Sequence, residues 1–123
     1  MKINREFTSD NQSPYQNIKF KKVSTEIRNP DGSIVFELKD FEVPEQWSQV
    51  ASDILSQKYF RKAGVPNKLK RKEERNIPSW LSPREADEES SDLNYSSEKN
   101  SQQVFDRLAG AWTYWGWKGG YFS

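Results

Sequence analysis

The pattern of apolar and polar residues divides the chain into four segments, because stretches with the spacing of strands or helices lie between stretches that are mainly polar. Residues 1–17 are polar and predict an irregular N-terminal arm. Residues 18–66 predict a β-hairpin followed by an amphipathic helix, and residues 67–100 predict a charged, flexible linker. Residues 101–123 predict a second, short helix that leads into an aromatic C-terminal segment. The predicted fold class is therefore α+β, with a small N-terminal β-hairpin and two helices joined by the linker.

The hairpin is predicted from two runs of period two that flank a turn. Residues 18–27 have the spacing of a strand, with a change of phase at residues 21–22 where a bulge would restore the register. The turn is expected at residues 29–32, because the sequence Asn-Pro-Asp-Gly presets φ at the proline and permits a positive φ at Gly32. Residues 34–38 alternate again and predict the returning strand.

The first helix is predicted over residues 44–62. Its apolar positions recur at i, i+3, i+4, i+7 and i+8, which is the spacing of one helical face. These positions are Trp47, Val50, Ala51, Ile54 and Leu55, continued by Tyr59. Pro44 suits a first helical position, and Gly64 followed by Pro66 is typical of a helix end. The face is therefore expected to pack on a core.

Two blocks of opposite charge lie on either side of an apolar anchor at residues 77–81. Residues 61–75 hold seven basic side chains, and residues 81–100 are mainly acidic. The basic block could contact a phosphate backbone, with Trp80 and Tyr95 stacking on bases. No aromatic residue is interleaved within the basic block, so we favour a solvated linker. The acidic block lacks the spacing of a calcium loop.

The segment at 104–122 contains three of the five tryptophans. Its glycines match neither a P-loop nor a dinucleotide fingerprint, so we interpret them as a turn that permits close aromatic packing. An apolar surface of this size needs a partner, which we expect beyond residue 123 or on another chain. The residues expected to form packing or interface contacts are Trp47, Trp112, Tyr114, Trp115, Trp117, Tyr121 and Phe122.

The composition restricts the chemistry of this chain. Cysteine and histidine are both absent, which removes thiolate nucleophiles, thiol redox chemistry and the commonest metal ligands. We expect no catalytic, cofactor-binding or metal-binding residue here. The formal net charge of +1 gives no field over the whole chain that would attract nucleic acid or anionic lipid. The sequence shows neither the apolar core of a signal peptide nor a membrane span, so we predict a cytoplasmic protein without a membrane partner.

Four stretches resemble a known family in their order and spacing. Residues 27–33, 43–66, 77–81 and 104–122 resemble the N-terminal region of the adenosylcobalamin-dependent, class II ribonucleotide reductases in their long bacterial form. The resemblance extends over nearly the whole chain. It implies membership in an oxidoreductase that makes deoxyribonucleotides for DNA synthesis by radical chemistry, with adenosylcobalamin (vitamin B12) as its cofactor.

The resemblance also implies where the chemistry lies. In this family a ten-stranded α/β barrel holds the catalytic cysteines, all of them C-terminal to the region that this chain resembles. A chain without cysteine cannot reduce a ribonucleotide alone. We therefore expect an N-terminal domain or fragment, incomplete without a downstream α/β barrel domain. Its expected role is structural, packing against that catalytic domain in cis or as a separate chain, with nucleotides bound only by the full-length enzyme.

A second class of function remains open at the level of the sequence. The chain could be a free-standing interaction module that binds single-stranded nucleic acid or a protein partner. Such a module would depend on the basic block, so replacing Lys68, Lys70, Arg71 and Lys72 by alanine would abolish its binding. The same substitutions would leave the assembly of a reductase intact.

Overall fold

The computed structural model describes residues 1–122 and divides into two compact units. The hairpin unit comprises residues 4–60 and 99–104, and the aromatic unit comprises residues 1–3, 61–98 and 105–122. Small antiparallel strand pairs and two α-helices make up the regular structure, so the predicted α+β fold class is confirmed.

The hairpin unit is built on two antiparallel strands, β1 (Phe20–Arg28) and β2 (Ile34–Pro44). The turn between them lies where the sequence predicts it, with Gly32 at φ +90° and its N–H donating to the Asn29 carbonyl at 2.9 Å. Asp31 stabilises the turn because its carboxylate accepts hydrogen bonds from the hydroxyl and the N–H of Ser33.

The register shifts lie on β2 and not at residues 21–22 of β1: Val35 is an extra residue near the turn, and a bulge follows Leu38. Residues 39 and 40 together lie opposite Ser24, and Asp40 takes a positive φ of 56°. The extra residue shifts the phase of β2, so Leu38 before the bulge and Phe41 after it face the same side. The phase change predicted on β1 does not occur, since residues 20–23 pair with β2 without interruption. Phe20 therefore lies on the face of β1 opposite to Val23, where it packs edge to face on Tyr15.

The first helix is shorter than predicted. Helix α1 spans Gln49–Ile54 and continues as a π-helical turn, Leu55–Tyr59. Strand β2 extends through Pro44, so the helix cannot begin at that residue as predicted. It begins after Ser48, whose hydroxyl caps it by accepting the N–H of Ala51 at 3.1 Å. Phe60 is extended at ψ 133° and ends the helix before residue 62.

The buried face of this helix also differs from the predicted apolar stripe. Ser52 and Ser56 are fully buried with Leu55, whereas Val50 is 67% and Ile54 is 49% exposed. The serine hydroxyls donate to carbonyls of their own helix, those of Ser48 and Asp53. This removes the desolvation penalty that an unpaired hydroxyl would carry and allows small residues to be buried.

The core of the hairpin unit combines β2, the π-helical turn and the start of the second helix. Phe41 and Phe60 meet edge to face at a centroid distance of 5.5 Å. Val43, Leu55 and Val104 complete the buried apolar set. The N–H of Glu42 donates to the Lys99 carbonyl at 2.8 Å, which fixes residues 99–104 beside β2.

The aromatic unit contains four short strands in two antiparallel pairs. Strand β3 (Val65–Pro66) pairs with β6 (Tyr95–Ser96), and β4 (Leu69–Arg71) pairs with β5 (Arg84–Ala86). A 3-10 turn spans Ser79–Leu81, and Leu81, 9% exposed, is the most buried apolar side chain of this unit in the described part of the chain. The segment predicted as a charged linker thus includes strands β4, β5 and β6.

The two ends of this strand-containing segment are fastened together around Glu98, which is 3% exposed. Its carboxylate accepts the Arg61 N–H at 2.7 Å and pairs with the Arg107 guanidinium at 2.9 Å. The Glu98 N–H donates in turn to the Arg61 carbonyl at 2.8 Å. A buried carboxylate is tolerated here because a cation and a backbone N–H both satisfy it. We call these three residues the clasp.

Candidate protein interface on the second helix

Helix α2 spans Ser101–Lys118, and its start agrees with the prediction. Asn100 and Gln103 form a reciprocal cap. The Asn100 side chain accepts the Gln102 N–H at 2.8 Å, and the Gln103 side chain accepts the Asn100 N–H at 3.0 Å. The cap therefore satisfies the N–H of Gln102, in the first turn of the helix, and that of Asn100 just before it.

The helix is longer than the short element that we predicted. It ends in a Schellman motif, in which Gly120 has φ +75° and the Tyr121 N–H donates to the Gly116 carbonyl at 3.0 Å. The glycine turn therefore begins at residue 119, and Gly116 lies within the helix. As a consequence Trp112, Trp115 and Trp117 all lie on α2 itself and not in a segment after it.

One side of α2 is fixed to residues 74–80 by polar contacts. The Tyr114 hydroxyl donates to Glu74 Oε2 at 2.6 Å, and Lys118 Nζ lies 3.6 Å from the same oxygen. The Tyr114 hydrogen bond, with the charge of Lys118, lowers the pKa of the Glu74 carboxyl. The hydrogen bond to Tyr114 and the charge of Glu74 raise the pKa of Lys118.

Trp117 adds a second attachment on the same side. Its indole N–H donates to the Asn76 carbonyl at 3.0 Å, and Asn76 takes a positive φ of 67° in the turn. Trp80 meets the Trp117 ring edge to face at 5.9 Å and 89°. We call Tyr114, Trp117 and Lys118 the tethered face of α2.

Another side of α2 carries two large exposed aromatic residues. Trp112 and Trp115 are 63% and 64% exposed. They are three residues apart and so lie next to one another on the helix surface. Within residues 1–122 neither indole N–H donates a hydrogen bond. We call this pair the open face.

The remaining residues of the predicted packing set lie elsewhere. The Phe122 ring covers Gly116, where an added Cβ would lie 2.6 Å from the ring. Tyr121 is 66% exposed, and its carbonyl accepts a hydrogen bond from the Met1 ammonium at 2.8 Å. Trp47 belongs to the hairpin unit and is half-buried, with its carbonyl accepting from Lys21 Nζ.

The sequence did not indicate the residues that hold the tethered face. Glu74 and Asn76 are unremarkable polar residues in a charged block. Trp80, in the apolar anchor, was the one visible signal, and it lies in the 3-10 turn against Trp117. In the described chain Trp80 therefore contacts an aromatic ring of its own unit, although it remains 66% exposed.

The described residues offer no metal site and no membrane helix. In residues 1–122 no group of three or more histidine, cysteine, aspartate or glutamate side chains could hold a metal ion. Among the same residues no helix combines the length and apolar character needed to cross a bilayer. The candidate functional surface of the described chain is the open face of α2, because Trp112 and Trp115 are both more than half exposed.

Comparison with known proteins identifies the family. The family model described as class II vitamin B12-dependent ribonucleotide reductase matches residues 21–123. The chain is 58% identical to a vitamin B12-dependent ribonucleotide reductase of Bradyrhizobium diazoefficiens and 57% identical to one of Agrobacterium fabrum. It is 25% identical over 93% of its length to a reductase of the same name from Rhodopirellula baltica.

The matches cover very different shares of this chain and of its relatives. The first two cover 100% of this chain but only 10% of each relative's length. The family model covers all of β1 except its first residue, and all of β2, α1 and α2. The chain therefore belongs to the family of class II, vitamin B12-dependent ribonucleotide reductases.

Proposed function

We propose that this chain is the N-terminal domain of a vitamin B12-dependent ribonucleotide reductase and that it acts by assembly with the catalytic part of the enzyme. The open face of α2 carries the proposal, because Trp112 and Trp115 expose large apolar area on an element whose other face is already tethered. Exposed apolar patches mark interaction sites, and tryptophan is enriched among the residues that contribute most binding energy in protein interfaces.

The occupant that we propose for the open face is the catalytic domain of the same enzyme. The relatives extend far beyond this chain, which spans about 10% of their length, so a much larger body of protein is available to cover it. The tethered face supports the proposal, since it holds α2 in one orientation before a partner binds. Such preorganisation lowers the entropic cost of association.

The catalytic chemistry belongs, in this proposal, to residues outside the chain. The sequence has no cysteine and no histidine, and within residues 1–122 no cluster could hold a metal ion. Because the catalytic cysteines of the family cannot come from this chain, we assign adenosylcobalamin and the ribonucleotide to the catalytic domain. The proposed location is the cytoplasm, and the proposed output is deoxyribonucleotide for DNA synthesis.

The predicted division of the chain is part of the same proposal. The arm at 1–17, the hairpin and helix at 18–66, the linker at 67–100 and the helical segment at 101–123 would form successive parts of one N-terminal domain. Of the aromatic residues predicted to form an interface, we assign that role above all to Trp112 and Trp115. Tyr114 and Trp117 already form hydrogen bonds within the chain. A free-standing binding module is not favoured by the reductase relatives.

The test is reconstitution from two polypeptides. The 123-residue chain is titrated against the remainder of the reductase, and both association and cobalamin-dependent ribonucleotide reduction are measured. A Trp112→Ser, Trp115→Ser double variant is expected to bind at least roughly tenfold more weakly, because it removes two candidate hot spots.

The matched control is Phe7→Ser, which removes a side chain that is 93% exposed in the N-terminal arm. This control should leave association unchanged. The circular dichroism spectrum of each variant establishes that α2 has formed. Equal affinity of the double variant and the unmodified chain would contradict the proposal, as would a failure of the two polypeptides to associate.

A further inference from the structure

The β4–β5 strand pair has two faces with opposite charge arrangements. In the register of this pair Lys70 lies opposite Glu85, and Arg71 lies opposite Arg84. The first pair is complementary, with Lys70 Nζ 3.8 Å from Glu85 Oε1. The second places two guanidinium side chains directly across from each other. Like charges in directly opposed positions destabilise an antiparallel pair.

The hydrogen bonding brings the two arginines closer still. The Lys72 N–H donates to the Pro83 carbonyl at 2.7 Å, and the Asp87 N–H donates to the Lys68 carbonyl at 2.9 Å. Because hydrogen-bonded and non-hydrogen-bonded positions alternate, Arg71 and Arg84 occupy a non-hydrogen-bonded position. Cα atoms at such positions are about 4.5 Å apart, and their side chains lie side by side.

No protein carboxylate neutralises this pair in the described structure. Among residues 1–122 neither Arg71 nor Arg84 has an ion pair. Both side chains are exposed. The two acidic residues that follow β4 do not serve as partners, since Glu74 is engaged by Tyr114 and Glu73 forms no ion pair in this part of the chain. The register thus leaves two adjacent positive charges without a counter-ion.

We propose that Arg71 and Arg84 bind the phosphate group of a small phosphorylated ligand. A phosphate monoester carries a charge of about −2 at neutral pH and presents three acceptor oxygens, so one group neutralises both guanidiniums. A single carboxylate supplies half that charge and two oxygens. Arginine suits this role because its planar fork donates two parallel hydrogen bonds to an oxyanion. The site is separate from the open face of α2, and either proposal can fail alone.

The experiment is a titration of the 123-residue chain followed by ¹H–¹⁵N NMR, including the arginine Nε–H signals. The probes are inorganic phosphate, tripolyphosphate and ATP, at a fixed ionic strength of about 0.15 M that screens general surface attraction. Saturable shifts of Arg71 and Arg84 are expected. Equal affinity for tripolyphosphate and ATP would show that the phosphate groups alone are sufficient for binding. Higher affinity for ATP would show that the ligand is a nucleotide. Either result would support the site.

The variants separate this site from the rest of the basic block. Arg71→Gln and Arg84→Gln should each weaken phosphate binding at least roughly tenfold, because each variant loses one of the two guanidinium groups that bind the phosphate. Lys70→Gln, on the other face of the same strands, is the matched control and should change the affinity less than about twofold. Without phosphate Arg84→Gln should unfold at the same or a higher temperature than the unmodified chain, which verifies its fold.

Three results would overturn the proposal. The first is equal phosphate affinity in Arg84→Gln and the unmodified chain. The second is equal weakening by Lys70→Gln, which would indicate an unspecific basic surface. The third is binding of a single-stranded oligonucleotide that requires the Lys68, Lys70 and Lys72 side chains and not the two arginines, which would indicate a nucleic-acid surface.

Discussion

Trp117 and Trp112 lie on the same helix, five residues apart, in very different surroundings. Trp117 donates to the Asn76 carbonyl and meets the Trp80 ring, whereas Trp112 is 63% exposed. Five residues correspond to a rotation of about 140° beyond a full turn, which places the two side chains on different sides. One aromatic block in a sequence can therefore serve two purposes, with one part attached within the chain and another part available to a partner.

Truncating one tryptophan on each face tests whether the two faces of α2 differ in what they contribute to stability. Trp117→Ala should lower the free energy of unfolding by about 2 kcal/mol, since a half-buried ring, a ring pair and a hydrogen bond are lost together. Trp112→Ala should lower it by less than about 0.5 kcal/mol, because the ring is mostly exposed already. Urea denaturation followed by circular dichroism measures both. Similar losses for the two variants would show that the faces do not differ.

A double-mutant cycle between Trp80 and Trp117 measures how strongly the two rings of the tethered face interact. The two rings meet edge to face, so their coupling energy should be about 1 kcal/mol. The same cycle between Trp80 and Trp112 should give a coupling near zero. Urea denaturation of the single and double variants supplies each term. A coupling of equal size in both cycles would contradict the assignment of Trp80 to the tethered face.

Two glycines of α2 test how the helix surface is covered. At Gly110 an added Cβ meets nothing within 4 Å, and at Gly116 it would lie 2.6 Å from the Phe122 ring. Gly110→Ala should therefore raise the free energy of unfolding by about 0.5–1 kcal/mol, which is the helix preference for alanine over glycine. Gly116→Ala should gain less, because Phe122 must move. Thermal unfolding of the two variants side by side measures the difference, and a larger gain at Gly116 would show that Phe122 does not cover it.

The smallest expected effect is the pH dependence of the tethered face. The pKa of Glu74 is lowered in the folded chain, so this carboxylate stabilises the fold above its unfolded pKa and loses that contribution as the pH falls through the lowered value. In Tyr114→Phe the main cause of the lowered pKa is absent. Its unfolding temperature should therefore fall less between neutral and acidic pH.

The unmodified chain is the reference for that titration. Glu26 and Asp31 also have lowered pKa values, caused by Arg28 and Ser33, and they are present in both proteins. The difference between the two titration curves therefore isolates Glu74. Parallel curves would show that the Tyr114 hydrogen bond does not contribute in solution.

Local signals in the sequence were sufficient for the hairpin turn and the start of α2. Gly32 takes the positive φ that its turn requires, and Asn100 caps the helix that it precedes. Residues near in sequence determine both features. The start of α1 was predicted wrongly because two local signals compete, and the strand that extends through Pro44 prevails over a helix start at the same proline.

The contacts that define the candidate sites span long distances in sequence. Tyr114 meets Glu74 across 40 residues, and Trp117 meets Asn76 across 41. Helical periodicity identifies which residues share a face but not what that face meets. Arg71 and Arg84 lie opposite each other because of the register in which β4 and β5 pair. That register cannot be predicted from the charge composition of the two blocks.

The clasp gives the chain a segment whose length should be able to vary, in the turns between residues 62 and 97 that do not contact α2. Residues 62–97 leave and rejoin the fold at Arg61 and Glu98, which bond to each other. The entropic penalty of closing a loop rises only slowly with its length. Insertions in those turns should therefore be tolerated without disturbing α1 or α2, provided that residues 74–80 keep their contacts with α2 and that the acid at 98 and the arginine at 107 persist.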